Sequence, residues 1–271
     1  MSGLRSVLAA VGWKGPLEST LLLYGLMIAR LAVAISMSPF LGGQSVPGRA
    51  KIGLALVIAI LLGPVQQAPA AIPGPLLAFA LLAKEVVIGA IIGFFAQMVF
   101  FGVQMAGALI DNQRGMNQIS LNTPQLPGPA SLLGMFQFQA ALALFFTFDG
   151  HLFYLRALAD SFTTIPPATL PVMRAGGLAM AELAIRVSTD LFTVALRLSA
   201  PLLLALFVLD VVFGVFNRVV SQIQINSENQ TTKALFSLWI LLLVLPILAV
   251  QLREYPMVLV RHITDFVAGF R

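Results

Sequence analysis

Apolar residues run along this chain in long blocks, not in the alternating pattern of a half-buried strand. The blocks cover about 17–37, 49–63, 76–110, 129–148, 150–163, 174–220 and 231–252, and a weaker amphipathic stretch covers about 255–270. Most are long enough for helices. Proline and glycine separate them: Pro39, Gly42-Gly43 and Pro47; then Pro64, Pro69, Pro73 and Pro75; then Pro124, Pro127 and Pro129; then Pro166, Pro167 and Pro171. The pattern predicts an all-α protein of six to eight helices, several of them long and kinked.

Some blocks carry charge where a lone lipid-spanning helix would not. Arg30 sits inside the first, Lys84 and Glu85 lie near the start of the third, and Asp210 and Arg218 interrupt the sixth. A charge in hydrocarbon is costly and normally faces protein or water. These positions therefore predict buried or interfacial polar partners. Gly89 and Gly93 form a G-x-x-x-G, with Gly102 and Gly107 further on. Small residues at that spacing let helix backbones approach closely. Two readings stay open for them, packing inside one bundle and packing between subunits.

The segment after the third block is polar at its start, Asp111-Asn112-Gln113-Arg114-Gly115, and Gly115 suits the left-handed residue that ends a helix. The following stretch carries Met116, Ile119 and Leu121 among polar neighbours. An apolar constriction that excludes water has use for such side chains; a loop tucked against the bundle accounts for them as well. Asp111 and Arg114 are read as anchors of this loop. Asp149-Gly150-His151 predicts a helix start with Asp149 as N-cap. In the last third, a helix from about 186 to 220 carries Pro201, Asp210, Gly214 and Arg218. The polar run 221–230 and Lys233 then precede another apolar block, which predicts a helical hairpin with a polar tip. Asp210 and Arg218, eight residues apart, share a helix face but are too far apart for an ideal direct pair.

Composition turns a helical protein into a membrane protein. Hydrophobic residues make up 59% of the 271 residues and charged ones only 10%, against about 45–50% and about 25% in soluble domains. Mean hydropathy is +0.94. This excludes intrinsic disorder and a water-soluble monomer. Net charge is +5, but the sixteen Lys and Arg are scattered singly, which argues against nucleic acid as a partner. There is no cysteine, so disulfides, thiolate metal sites and cysteine nucleophiles are excluded. The two histidines, His151 and His262, lie far apart, so no metal site and no cofactor is expected. The first block follows Arg5 and Lys14 and leads into Pro39-Phe40 without a small-x-small cleavage site; it is read as an uncleaved first helix. No repeated half-sequence marks a small-molecule or ion transporter, the alternative reading. No Gly-x-Ser-x-Gly accompanies either histidine, so an enzyme is not expected.

Several groups of residues, in order, resemble one family: the T/R component of the type III secretion export apparatus, called SctT in injectisomes and FliR in flagella. They are Arg30 with Ser38-Pro39-Phe40 and Val46-Pro47-Gly48-Arg49; Glu85 with Gly89 and Gly93; Ala106-Gly107 through Asp111-Asn112-Gln113-Arg114-Gly115, with Pro124; Phe145-Phe146 to Gly150-His151 and Ser161; and Ala200-Pro201, Asp210, Gly214, Asn217-Arg218 and Gln222, ahead of Lys233. The Asp-Asn-Gln-Arg-Gly run looks more like injectisome members. A departure is the polar stretch 224–232, which is more apolar in many relatives.

The resemblance implies a non-enzymatic subunit of an export gate in the bacterial inner membrane, within the basal body. It implies a fusion of the other two gate subunits, with residues 1–185 like the larger P/R type (SctR/FliP) and 186–271 like the smaller Q/S type (SctS/FliQ). Those two, the autoprotease switch component, the large export gate protein, membrane lipid and unfolded secreted substrates are the implied partners. It further implies that the loop 115–129 plugs the closed channel, with Met116, Ile119 and Leu121 as its apolar contributors. Gly89, Gly93, Lys84, Glu85, Asp210 and Arg218 then belong to packing and assembly, and Gln222 and Lys233 to a partner contact at the hairpin tip.

Overall fold

A computed structural model describes residues 17–43, 46–67, 69, 73–114, 131–170, 176–219 and 255–269, together with 235, 236, 238, 239, 242, 246, 250 and 253. Its elements are helices α1 (Leu17–Met37), α2 (Gly48–Leu62), α3 (Pro75–Gln113), α4 (Leu132–Thr147), α5 (Gly150–Thr164), α6 (Gly176–Val219) and α7 (Tyr255–Ala268); a 3-10 turn, Gly63–Val65, follows α2. No strand occurs among the described residues. The all-α expectation holds, and Pro201 lies inside α6.

Among the described residues, four stretches are long and apolar enough to cross a membrane: Glu18–Met37, Gly48–Val65, Pro75–Gln113 and Glu182–Phe216. Helices α4 and α5 pass the same test as a pair, with a break between them. The break has a local cause. Asp149 takes φ 56°, and its N–H donates to the Phe146 carbonyl at 3.2 Å, closing the end of α4 in the left-handed manner of a helix C-terminus. The N-cap expected of Asp149 needs the β region of the backbone instead. Asp149 therefore ends the helix before it, and the expectation is corrected.

The chain forms two compact units. One draws on Met1–Gln97, His151–Ile185 and Val258–Arg271, the other on Met98–Gly150 and Arg186–Met257. In the first, α1 is the central helix: Leu23, Leu26, Met27, Leu31, Ala34 and Ile35 are buried. The Tyr154 hydroxyl of α5 donates to the Ala34 carbonyl at 3.0 Å, and the Tyr154 ring meets Phe40 edge-on. Amphipathic α7 buries Leu259, Ile263 and Phe266, and Phe266 stacks edge-on against Phe95 of α3.

In the second unit the later part of α3 is the spine. Gly102 lies against Val194 and the Leu191 carbonyl of α6, and Phe100 packs on Phe138 and Phe145 of α4 at 5.8 and 5.3 Å between ring centroids. The α3–α4 approach is close at Gly107. A Cβ there would collide with the backbone of Gly134, and one on Gly134 would come within 2.7 Å of the Gln104 carbonyl.

Candidate functional site

Two polar constructions stand out in this apolar chain, one in each unit. The first joins α1, α3 and α5. Arg30 and Glu85 have no exposed side-chain surface. The Arg30 guanidinium grips Glu85 with two N–H groups, Nε to Oε2 at 2.5 Å and Nη2 to Oε1 at 3.0 Å. Its other three N–H groups reach the Ser161 carbonyl (3.0 Å), the Ser161 hydroxyl oxygen (3.1 Å) and the Ile165 carbonyl (2.8 Å). All five donors are thus used. The guanidinium also lies 4.3 Å from the centre of the Phe162 ring.

Lys84 completes the group. Its ammonium pairs with Glu85 Oε1 at 2.7 Å and donates to the carbonyls of Pro166, Pro167 and Thr169 at 2.9, 3.0 and 2.9 Å. Two cations face one carboxylate, a net charge of +1. Carbonyls at and just beyond the end of α5 balance the excess, since a helix C-terminus carries partial negative charge. Every member is satisfied, so the cluster is a fixed bolt through three helices.

Gly89 and Gly93, one and two turns beyond Glu85, lie against α1. A Cβ on Gly89 would strike the Arg30 carbonyl, and one on Gly93 would come within 2.6 Å of Met37 Cβ. Their small size is what lets α3 come close enough for Glu85 to reach Arg30.

The second construction ties the end of α3 to the start of α4. Ser131 is the α4 N-cap, and its hydroxyl oxygen accepts the Gly134 N–H at 2.8 Å. The same hydroxyl donates to Asp111 Oδ2 at 2.8 Å, and that oxygen also accepts the Leu133 N–H at 2.9 Å. Arg114 Nη1 holds the other oxygen, Oδ1, at 3.1 Å. One buried carboxylate therefore neutralises the N-terminal charge of α4 and is itself balanced by Arg114. Nearby, Gln113 Nε2 donates to Asp210 Oδ2 of α6 at 3.0 Å.

The structure thus brings Lys84, Glu85, Gly89 and Gly93 together in one unit, and Asp111, Arg114 and Asp210 into the other. Arg218 is exposed near the end of α6. Gly115, Met116, Ile119, Leu121, Gln222 and Lys233 lie outside the described residues. Sequence reasoning flagged Arg30 as a costly charge but missed it as the partner of Glu85. It also missed Ser131, for which the signal was present: a serine directly before an apolar helix and twenty residues after an aspartate. Among the described residues, no group of three His, Asp or Glu could hold a metal ion.

Comparison with known proteins agrees with this picture. The profile of the family described as bacterial export proteins, family 1, matches residues 21–256. The flagellar biosynthetic protein FliR of Escherichia coli K12 is 31% identical over 207 residues, which cover 76% of this chain and 78% of the relative. The Yop proteins translocation protein T of Yersinia pestis is 28% identical over 204 residues, 74% and 77% of the two chains. The secretion system apparatus protein SsaT of Salmonella typhimurium is 28% identical over 166 residues, 61% and 63% of the two. Long apolar helices, interior charges that are paired rather than exposed to lipid, and a profile match over nearly the whole length lead to one assignment: the chain is a membrane protein of the bacterial export protein family 1, the SctT/FliR family of type III export apparatus components.

Proposed function

We propose that this chain is a structural, non-enzymatic subunit of the inner-membrane export gate, helping to form and close the channel through which unfolded proteins leave the cell. The observation that carries the reading is the Asp111 clamp. Its carboxylate bonds to Arg114 on one side of the segment 115–130 and to Ser131 and Leu133 on the other. A segment fastened at its base can hold Met116, Ile119 and Leu121 at a fixed place across a pore, where apolar side chains exclude water and ions until a substrate displaces them. Asp111 and Arg114 are the loop anchors in this reading, with Gly115 at the point of departure.

The helices support assembly with other subunits. At 1.5 Å per residue the 39 residues of α3 span about 58 Å and the 44 of α6 about 66 Å. The hydrocarbon core of a bilayer is about 30 Å thick. Much of their apolar surface is therefore left for protein to cover. The partners proposed are the P/R-type and Q/S-type gate subunits (SctR/FliP and SctS/FliQ), with residues 1–185 related to the former and 186–271 to the latter. Asp210 and Arg218 serve this assembly, and the tip carrying Gln222 and Lys233 contacts the autoprotease switch component or the large export gate protein. An injectisome is favoured over a flagellum on the Asp-Asn-Gln-Arg-Gly run. The relatives include proteins named for both flagella and secretion systems.

The test is deletion of residues 116–121 in the assembled apparatus, with membrane ion conductance as the readout. Conductance should rise while assembly and protein level stay at the parent value. Unchanged conductance in a fully assembled apparatus would remove the plug from the proposal.

A further inference from the structure

The inner face of α4 contains one residue that its surroundings do not explain. The buried stripe of this helix is Leu133, Gly134, Gln137, Ala141 and Phe145. On either side of Gln137 the fit is close, with Gly134 against Gly107 before it and Phe138 and Phe145 on Phe100 after it. Gln137 is only 4% exposed, yet neither its amide nitrogen nor its amide oxygen has a hydrogen-bond partner among the described residues. Other buried polar side chains do bond: Arg30, Ser38, Glu85, Asp111, Ser161 and Ser199 each have at least one. An amide in an apolar seam without partners is a standing cost that leucine or methionine of similar volume would not carry.

We propose that Gln137 is the release residue of the α3–α4 hairpin. Its unbonded amide keeps the seam only marginally closed and gains its hydrogen bonds from water when α4 shifts away from α3. The residue lies six positions beyond Ser131, on the helix whose first turn the Asp111 clamp holds. A shift of α4 away from α3 would therefore load the Asp111 clamp, which joins the two helices. The seam is held near the loop by hydrogen bonds and close glycine contact, and farther along by aromatic rings; the unsatisfied amide lies between. Local opening is expected where polar groups gain more from water than from the fold. This inference rests on the proposed role of the chain in the export gate.

The experiment uses Gln137→Met and Gln137→Leu in the full chain within the assembled apparatus, with two readouts. Thermal stability of the purified assembly should rise by a few degrees, because the apolar side chain ends the unmet cost. Secretion should fall several-fold, with protein level and assembly unchanged, because the closed seam is now favoured. Gln137→Glu should do the reverse, lowering stability and raising ion leakage. A lower melting temperature for both apolar variants would overturn the proposal, since it would mean that the amide holds a structural water the seam needs. Raised stability with parental secretion would also overturn it, since the seam would then not govern opening. If deletion of 116–121 leaves conductance unchanged while the Gln137 variants behave as expected, the plug fails and the hairpin release stands.

Discussion

Among the described residues, Glu85 is the only carboxylate facing Arg30 and Lys84, and none of the three is open to solvent beyond the 8% of the Lys84 side chain. Glu85→Gln leaves two buried cations side by side without a counter-charge. Breaking a buried pair by removing one partner costs about 3–5 kcal/mol, whereas replacing both with packed apolar groups is often close to neutral. Glu85→Gln should therefore lower the melting temperature and membrane level of the chain sharply. Arg30→Met combined with Glu85→Met should recover much of the loss, because Lys84 keeps its three carbonyls. A double variant less stable than Glu85→Gln alone would show that Arg30 matters mainly for fastening the end of α5. The sequence announced each charge as misplaced for lipid but not which would meet. Arg30 and Glu85 are 55 residues apart, and five of the cluster's acceptors are backbone carbonyls, which no residue type advertises.

Among elements, α3 and α4 meet through glycines, and the outcome of substitution depends on what a Cβ would touch. Gly107→Val would drive a branched side chain into the Gly134 backbone and push α4 away. Overpacking of this kind costs about 1–3 kcal/mol, and a backbone obstacle yields less readily than a side chain. Gly214 of α6 has nothing within 4 Å of its Cβ direction, so Gly214→Ala should stabilise the isolated chain by up to ~1 kcal/mol through helix propensity alone. Melting of both variants in detergent checks the contrast. Equal effects would mean that α3 and α4 do not touch at this register. The helices themselves were legible, because apolar blocks bounded by proline and glycine leave few alternatives. The block expected at 49–63 is α2 at Gly48–Leu62, and that at 150–163 is α5 at Gly150–Thr164. The fourth block begins at Leu132 instead of 129, since Ser131 caps it. The third extends to Gln113 past 110, because the polar run that reads as loop, Asp111 to Gln113, still bonds as helix. The block at 231–252 lies mostly outside the described residues. The Gly89–Gly93 pair allowed two readings in sequence, and the contacts with Arg30 and Met37 place it inside one unit.

At the scale of the molecule, the exposed apolar face of α6 is longer than an upright crossing of a bilayer. Along α6, Ile185, Leu196, Phe207 and Phe216 are all exposed, and only 22% of the most apolar stretch of Glu182–Phe216 is buried in this chain. From residue 185 to residue 216 the helix rises about 46 Å, against a hydrocarbon core of about 30 Å. Lipid can cover the whole length only if the helix tilts by about 50° from the membrane normal, beyond the usual range of about 0–40°. Otherwise at least one end projects into water or against protein. The chain has no cysteine, so single thiols can be placed without background. Ile185→Cys, Leu196→Cys, Phe207→Cys and Phe216→Cys, each in the full chain in a planar bilayer, should differ in reaction with a charged maleimide. At least one terminal position should label rapidly, and a central one should stay protected. In the assembled apparatus the reactive position should become protected as well, because partner helices then cover what lipid cannot reach. Protection of all four in the chain alone would mean that the helix lies steeply tilted within lipid, and the need for protein cover would vanish. Labelling that persists after assembly would leave this face open in the finished apparatus, and would move the subunit contact to the other helices.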